Sequence, residues 1–344
     1  PRTLVNWRKL EILESEALWH SFLPIFEGAG LQLWPHVRNG VFKAPKVTCP
    51  EQNGLIYSGP KRESLASFEP GTPGSRKIFC HPLPLSRIAR TRDGTDVLIR
   101  AITVHGGGYD HLLILRQLSR SPNSLLSQNH ALHMLDEIES PSVPVTFGIF
   151  PLVGSSLSDA VNPSLWPKNS LGDVMEMFLQ ALEALRYIHT QRIAHRDAFV
   201  DNFLVQWQPE SLLMQRVSHS RPRVYLTDFE TAIQFSEAEE AVCHWLPVGE
   251  SIEYDSYGRP CPEDVLSGSG YDPFSLDVWQ FFTGLEQLGF KCSNPEISEV
   301  LATFHPSDPT RRVSAEEAYN ALASLIDNVP PVSLLVDPNR SLDD

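Results

Sequence analysis

One stretch constrains what this chain can fold into more than any other: Ile193-Ala194-His195-Arg196-Asp197-Ala198-Phe199-Val200-Asp201-Asn202-Phe203-Leu204-Val205. It sets Asp197 and Asn202 in a short loop that runs straight into an apolar Phe203-Leu204-Val205 strand. Upstream, Leu171, Val174, Phe178, Leu182, Leu185 and Ile188 recur at helical spacing, so Leu171 to Thr190 reads as a helix with one apolar face that delivers the chain into His195. Downstream, Val224-Tyr225-Leu226-Thr227 reads as a strand ending on Asp228-Phe229-Glu230. Two carboxylates and an amide, each at the mouth of a short strand, can ligate a hard cation and orient a hydroxyl. The plainer reading of Asp197 and Asp228 is that they cap turns.

The surroundings narrow the class. A length of 344 residues allows two ordinary domains, or one two-lobed unit with an extension. With 42% hydrophobic and 20% charged residues, the composition is that of a globular protein with a sizeable core. The net charge of −14 is uneven: residues 1–147 carry net +3 and residues 148–344 net −17. An acidic second half argues against nucleic acid as a partner, since phosphate backbones need clustered Lys and Arg, and favours a metal or a basic protein partner. A solvated acidic surface is the alternative. The five cysteines, Cys49, Cys80, Cys243, Cys261 and Cys292, are odd in number and include no Cys-x-x-Cys pair, so neither a zinc knuckle nor a disulfide framework is expected. No apolar run approaches the roughly 18 residues of a membrane span. Pro1-Arg2-Thr3-Leu4 lacks a secretory core, so the expectation is an intracellular protein, cytoplasmic or nuclear, with no membrane partner.

Along the chain, Lys9 to Glu27 carries an approximately helical stripe of Leu10, Leu13, Leu18, Phe22 and Phe26, ended by Gly28-Ala29-Gly30. From Leu31 to Gly74 the Pro and Gly content predicts an irregular arm anchored by Trp34-Pro35 and Val41-Phe42, with Ser67–Ser75 as linker. Ile78–Ala89 and Asp96–Val104 read as strands joined by the turn Arg92-Asp93-Gly94-Thr95. Gly106-Gly107-Gly108 leads into a helix, Tyr109 to Leu118, and reads as a hinge. Val143–Phe150 is a further strand, and residues 327–344 read as a loose tail.

At His195–Asn202 and Asp228–Glu230 the chain resembles the eukaryotic protein-kinase superfamily, whose catalytic loop is H-R-D-x-x-x-x-N and whose metal motif is D-F-G. Cys261-Pro262-Glu263 resembles its A-P-E, Asp277-Val278-Trp279 its D-x-W, and Asp308-Pro309-Thr310-Arg311-Arg312 the D-P-x-x-R of its last helices. The resemblance covers about residues 78–326, and within the superfamily it is nearest to the divergent kinase-like proteins of mushroom-forming fungi. It implies an α+β, bilobal fold: an extension over residues 1–75, a β-rich lobe over 76–150, a helical lobe over 151–326 and a tail over 327–344. It implies ATP and magnesium as cofactors and a protein as substrate or binding partner. Asp197 would orient and deprotonate the acceptor hydroxyl, Asn202 and Asp228 would hold magnesium, and Arg100 would stand in the place of the strand lysine. Leu98, Ile149, Phe150, Leu152, Leu204 and Thr227 would line the nucleotide. His195 would tie the loop to Asp228-Phe229-Glu230. Arg196 would meet a phosphate on the activation segment, for which Thr231, Ser236, Ser251 and Tyr254 are candidate acceptors. Glu263 and Arg312 would form a buried ion pair, and Asp277 would anchor the loop backbone.

Departures from that pattern cluster on the nucleotide. His81-Pro82-Leu83-Pro84-Leu85-Ser86 stands where a glycine-rich loop belongs, and prolines offer no N–H to a phosphate. Arg100 keeps the charge of the lysine but not its compact shape. His111, with Asp110 beside it, replaces the partner glutamate, and Leu98 replaces a small alanine. Phe199 replaces the loop lysine, and Glu230 the mobile glycine. Three functions follow: weak phosphoryl transfer to Ser or Thr, a pseudokinase serving as scaffold or switch, and a small-molecule phosphotransferase of the choline-kinase and aminoglycoside type. The last often has D-F-E or D-W-E, with an acidic residue where Glu230 stands, but lacks the Cys-Pro-Glu, Asp-x-Trp and Asp-Pro-x-x-Arg set.

Overall fold

Three short helices open the chain, α1 (Leu4–Arg8), α2 (Ile12–Ser21) and α3 (Leu23–Gly28), the last two where the apolar stripe predicts one. The reason is local. Thr3 caps α1 by accepting the Asn6 amide, and Glu11 with Glu14 makes a capping box that starts α2 afresh. Pro24 at the second position of α3 restarts the chain once more. The computed structural model describes residues 1–38, 41–43, 78–80, 84–153, 156–161, 169–206, 215, 217, 221–251 and 257–339. The expected linker Ser67–Ser75 and the residues His81–Leu83 lie outside them.

The chain divides into two units, one comprising Pro1–Ser119, His133–Leu152 and Glu250–Glu253 and the other the remainder. The first is built on a five-stranded antiparallel sheet. Its strands are β1 (Leu31–Leu33), β5 (Ser86–Thr91), β6 (Asp96–Val104), β7 (Asp136–Glu139) and β8 (Val145–Pro151), in the order β1-β5-β6-β8-β7. A smaller sheet of β2 (His36–Arg38), β3 (Val41–Lys43) and β4 (Ile78–Cys80) accompanies it. The expected irregular arm therefore contributes strands, because Leu31–Leu33 pairs in register with Thr91–Ala89. Helices α1–α3 bury four rings around Phe147 of β8. Its centroid lies 6.1 Å from Trp7, 5.6 Å from Trp19 and 5.0 Å from both Phe22 and Phe26. Leu13, expected in the stripe, is exposed. Helix α4 (Tyr109–Ser119) follows the glycine hinge, where Gly106 and Gly108 take φ of 91° and 84°. Glu250 Oε2 accepts the Gly108 amide at 2.7 Å, placing a negative charge at the helix N-terminus.

The second unit is mainly helical: α5 (Leu157–Val161), α6 (Leu171–Thr190), α7 (Glu263–Ser267), α8 (Pro273–Gln287), α9 (Pro295–Ala302) and α10 (Ala315–Ile326). Helix α6 starts on a Ser170–Asp173 capping box and buries the whole predicted apolar face. Helix α8 starts at Asp272, whose carboxylate accepts the Phe274 and Ser275 amides, and it is buried along most of its length. Two short antiparallel ladders carry the site: β9 (Ile193–Ala194) with β12 (Ile233–Gln234), and β10 (Phe203–Val205) with β11 (Val224–Leu226). The tail is docked rather than loose as far as residue 339. Leu334 is buried, the Leu171 amide donates to Val336 O at 2.9 Å, and the Ser293 amide donates to Pro338 O at 2.9 Å. A β-rich unit followed by a helical one is an α+β arrangement compatible with a bilobal kinase-like fold.

Candidate active site

The loop between β9 and β10 turns through Arg196, whose φ of 64° is unusual for a residue with a side chain. Helix α8 holds that turn from one face. Asp277 Oδ2 accepts the His195 amide at 2.8 Å and its Oδ1 accepts the Arg196 amide at 2.6 Å. One turn along, Gln280 accepts the Ala198 amide through Oε1 at 2.9 Å and donates through Nε2 to Arg196 O at 2.8 Å. Both side chains are fully buried, so these four bonds replace water that the loop backbone cannot reach. His189 Nε2 gives the Asp277 carboxylate a third donor, to Oδ2 at 2.8 Å. Sequence reasoning passed over Gln280. The signal was there, since i and i+3 share a helix face.

His195 is wholly buried, and burial holds its pKa below the ordinary histidine value. The neutral ring has one proton to place. The Asp197 amide points at Nδ1 (3.3 Å), so Nε2 carries the hydrogen and donates it to Thr227 O at 2.9 Å. The ring lies edge-on to Phe229, with centroids 4.9 Å apart, and so joins the loop to Asp228-Phe229-Glu230.

Asn202 donates through Nδ2 to Asp197 O and to Asp197 Oδ2, both at 2.8 Å. Both partners are acceptors, so the amide nitrogen faces Asp197 and the amide oxygen faces away. The other carboxylate oxygen, Asp197 Oδ1, accepts no hydrogen bond among the described residues, and Arg259 Nε stands 3.4 Å from it. Burial pushes the Asp197 carboxyl up to about 7. Arg259 opposes the shift, Asp228 adds to it, the Asn202 hydrogen bond opposes it and Asp201 adds to it. A buried carboxylate with one satisfied and one open oxygen, titrating near neutrality, is suited to accept a proton from a hydroxyl. Asp228 sits in the left-handed region at φ 65°, half-buried.

The donors fit magnesium. The Asn202 amide oxygen and the Asp228 carboxylate are the hard oxygen ligands that ion takes, and it commonly uses only one or two protein ligands. Among the described residues no three His, Cys, Asp or Glu side chains form a metal-binding group.

Arg196 is 2% exposed and its guanidinium is committed. It donates to Thr231 O, Trp245 O, Leu246 O and the Tyr271 hydroxyl at 2.8–3.3 Å. These internal acceptors, rather than the expected phosphate, satisfy the guanidinium. Thr231 is buried and gives its hydroxyl to His195 O, Ser251 is buried, Ser236 is exposed and Tyr254 lies outside the described residues. Arg312 faces Asp264, with Nη2–Oδ1 at 2.6 Å and Nη1–Oδ2 at 2.9 Å. The expectation named Glu263, which is exposed. As the first residue of α7, Glu263 points outward, and the next position faces the helical core.

The expected nucleotide residues fall in two sets. Leu204 on β10 and Thr227 after β11 belong to the second unit, where the Thr227 amide donates to Asn202 O at 2.9 Å. Leu98, Arg100, Ile149, Phe150 and Leu152 belong to the first. There Arg100 pairs across the sheet with Ser86 and Gly148, Ile149 with Ile99, and Phe150 with Leu98. Leu98 and Leu152 pack with Trp34, Phe42 and Ile88 in one apolar cluster. His111 on α4 is buried.

No protein-family model matches the chain. Over 162 residues it is 27% identical to the serine/threonine-protein kinase stk11 homolog of Dictyostelium discoideum, covering 45% of this chain and 23% of that protein. Over 104 residues it is 32% identical to the serine/threonine-protein kinase ppk8 of Schizosaccharomyces pombe, covering 30% of this chain and 17% of that protein. The chain thus matches less than a quarter of the length of either relative. These partial likenesses, with the α+β fold, support a protein-kinase-like relationship for this chain.

Proposed function

We propose that this chain transfers the γ-phosphoryl group of ATP to a serine or threonine hydroxyl of a protein, as a divergent, slow relative of the protein kinases. The observation that carries the reading is Asp197: one oxygen held by Asn202, the other open, on a loop clamped by Asp277 and Gln280. In this reading the acceptor hydroxyl lies against Asp197 Oδ1. Its oxygen forms the new bond to the γ-phosphorus, the bond from that phosphorus to the bridging oxygen breaks, ADP leaves, and the hydroxyl proton passes to Asp197. Asn202 and Asp228 would hold magnesium, which neutralises phosphate charge when bound. Arg100 would take the role of the strand lysine, and Ile149, Phe150 and Leu152, with Leu204 and Thr227, that of the adenine lining.

A second reading, a pseudokinase scaffold, is favoured by one observation. Leu98 and Leu152, expected beside the adenine, are already packed with Trp34 and Phe42. A thermal-shift titration with ATP, with and without magnesium or manganese, separates the two. Ligand at a hundredfold excess over Kd stabilises by about 2.7 kcal/mol. No shift at millimolar ATP removes the transferase reading. A shift followed by radiolabel transfer to protein that disappears in Asp197→Ala supports it, and transfer to choline or an aminoglycoside but not to protein redirects it to small-molecule acceptors.

A further inference from the structure

Phe199 occupies the loop position where the resemblance calls for a lysine, and the structure makes it a core residue. It is 2% exposed and packs on α8 at Gly284, where a Cβ would come within 3.3 Å of Phe199 Cδ1. The loop itself therefore carries acids at Asp197 and Asp201 and no cation directed outward, Arg196 being buried and committed. A cation nevertheless stands at this place. The Arg259 guanidinium carbon lies 4.9 Å from the centroid of the Phe199 ring. Arg259 Nη2 donates to Asp201 Oδ2 at 2.8 Å, and Nε is 3.4 Å from Asp197 Oδ1.

The ring gives the guanidinium a flat platform, and the two carboxylates fix its orientation. Among the described residues Nη2 makes the only hydrogen bond of this guanidinium, and the side chain is 36% exposed, so Nη1 keeps both hydrogens for a ligand. A planar fork with free hydrogens beside an open carboxylate oxygen is matched to phosphoryl oxygens.

We propose that Arg259 is the cation of this catalytic loop, supplied from the loop that precedes α7 in place of the residue lost at 199, and that it contacts the transferring phosphoryl group while holding Asp197 in position. The inference rests on the phosphoryl-transfer reading above. It accounts for a loop that lacks a lysine and yet keeps Asp197, Asp201 and Asn202: the aromatic ring has become the support for a charge carried elsewhere. Removing one preorganised donor of this kind costs about 100-fold to 1,000-fold in kcat.

The test uses the whole chain and compares wild type with Arg259→Ala and Arg259→Lys. Three readouts are needed: kcat and KM for a protein acceptor, calorimetric affinities for ATP and AMP with magnesium, and the melting temperature. Arg259→Ala should lower kcat about 100-fold with a KM close to wild type, and weaken ATP but not AMP. Arg259→Lys should restore part of the rate, and millimolar ethylguanidinium should restore part of it to Arg259→Ala. Wild-type kcat and ATP affinity in Arg259→Ala would overturn the inference and leave the transferase reading standing. A loss that follows a fall in melting temperature and resists both rescues would reduce Arg259 to a structural residue. A wild type that transfers nothing would overturn both.

Discussion

The Asp277 carboxylate accepts the Arg196 amide at 2.6 Å, at the point where Arg196 turns through φ 64°. A side-chain acceptor on a rigid helix is what makes that left-handed turn the stable one. Asp277→Ala would leave the buried amides of His195 and Arg196 without an acceptor, at about 1–3 kcal/mol each. Urea unfolding should show a loss of about 3 kcal/mol or more, and a loss under 1 kcal/mol would mean that the loop does not depend on this anchor.

Asp197 should make both activity and stability depend on pH, in opposite directions. Transfer needs the carboxylate, so the rate should rise with pH through about 7. Stability runs the other way, because the folded carboxyl holds its proton up to about 7 while the unfolded one loses it near 4. Between those values the unfolded chain binds fewer protons, and this group removes up to about 1.4 kcal/mol per pH unit, with no further loss above the folded value. Without nucleotide or magnesium, Asp197→Asn should therefore be more stable than wild type at pH 8, near wild type at pH 4, and devoid of transfer. Equal melting temperatures of the two at pH 8 would contradict the burial argument.

Arg312 and Asp264 give a sharp contrast with the neighbouring residue. The Arg312 side chain is 1% exposed and that of Asp264 11%, with two hydrogen bonds between them. Breaking a buried pair on one side costs about 3–5 kcal/mol, so Arg312→Ala should destabilise by that amount. Exposed Glu263 should tolerate Gln within about 0.5 kcal/mol. Chemical denaturation of the two variants checks both, and a large effect at Glu263 would restore the pairing expected from the motif.

Phe147 is the point on which α1–α3 are fastened to the sheet, with rings of all three helices within 6.1 Å. Phe147→Ala removes a fully buried ring and should cost about 3–5 kcal/mol. Amide exchange should then quicken in Leu4–Gly28 as well as in β8. Unchanged protection of the three helices would mean that they fold independently of this contact.

Much of this site could be read from side chains adjacent in sequence. The helix Leu171–Thr190 announces itself through apolar periodicity and a capping box, both local properties, and the structure has the same bounds. The turn at Asp93-Gly94 and the short ladders Phe203–Val205 and Val224–Leu226 are local in the same sense. The single helix expected over 9–27 failed because hydrophobic spacing says where a helix faces, while Glu11 and Pro24 decide where one stops and another begins. The strand at Leu31–Leu33 was hidden because its partner lies some sixty residues away, and only pairing makes so short a run a strand.

By itself, the sequence determined an α+β character compatible with a kinase-like fold and the grouping of His195, Asp197 and Asn202 in one loop with Asp228 after the strand paired to it, since those depend on residue type at fixed spacing. Tertiary structure decided which groups meet across distance. Asp264 rather than Glu263 faces Arg312, because helix phase turns one side chain inward. Carbonyls of Thr231, Trp245 and Leu246 rather than a phosphate meet Arg196, because a buried guanidinium must be satisfied from within. Arg259 lies on Phe199 beside Asp197 because the chain before α7 packs against the loop, a proximity across some sixty residues of sequence that no local pattern encodes.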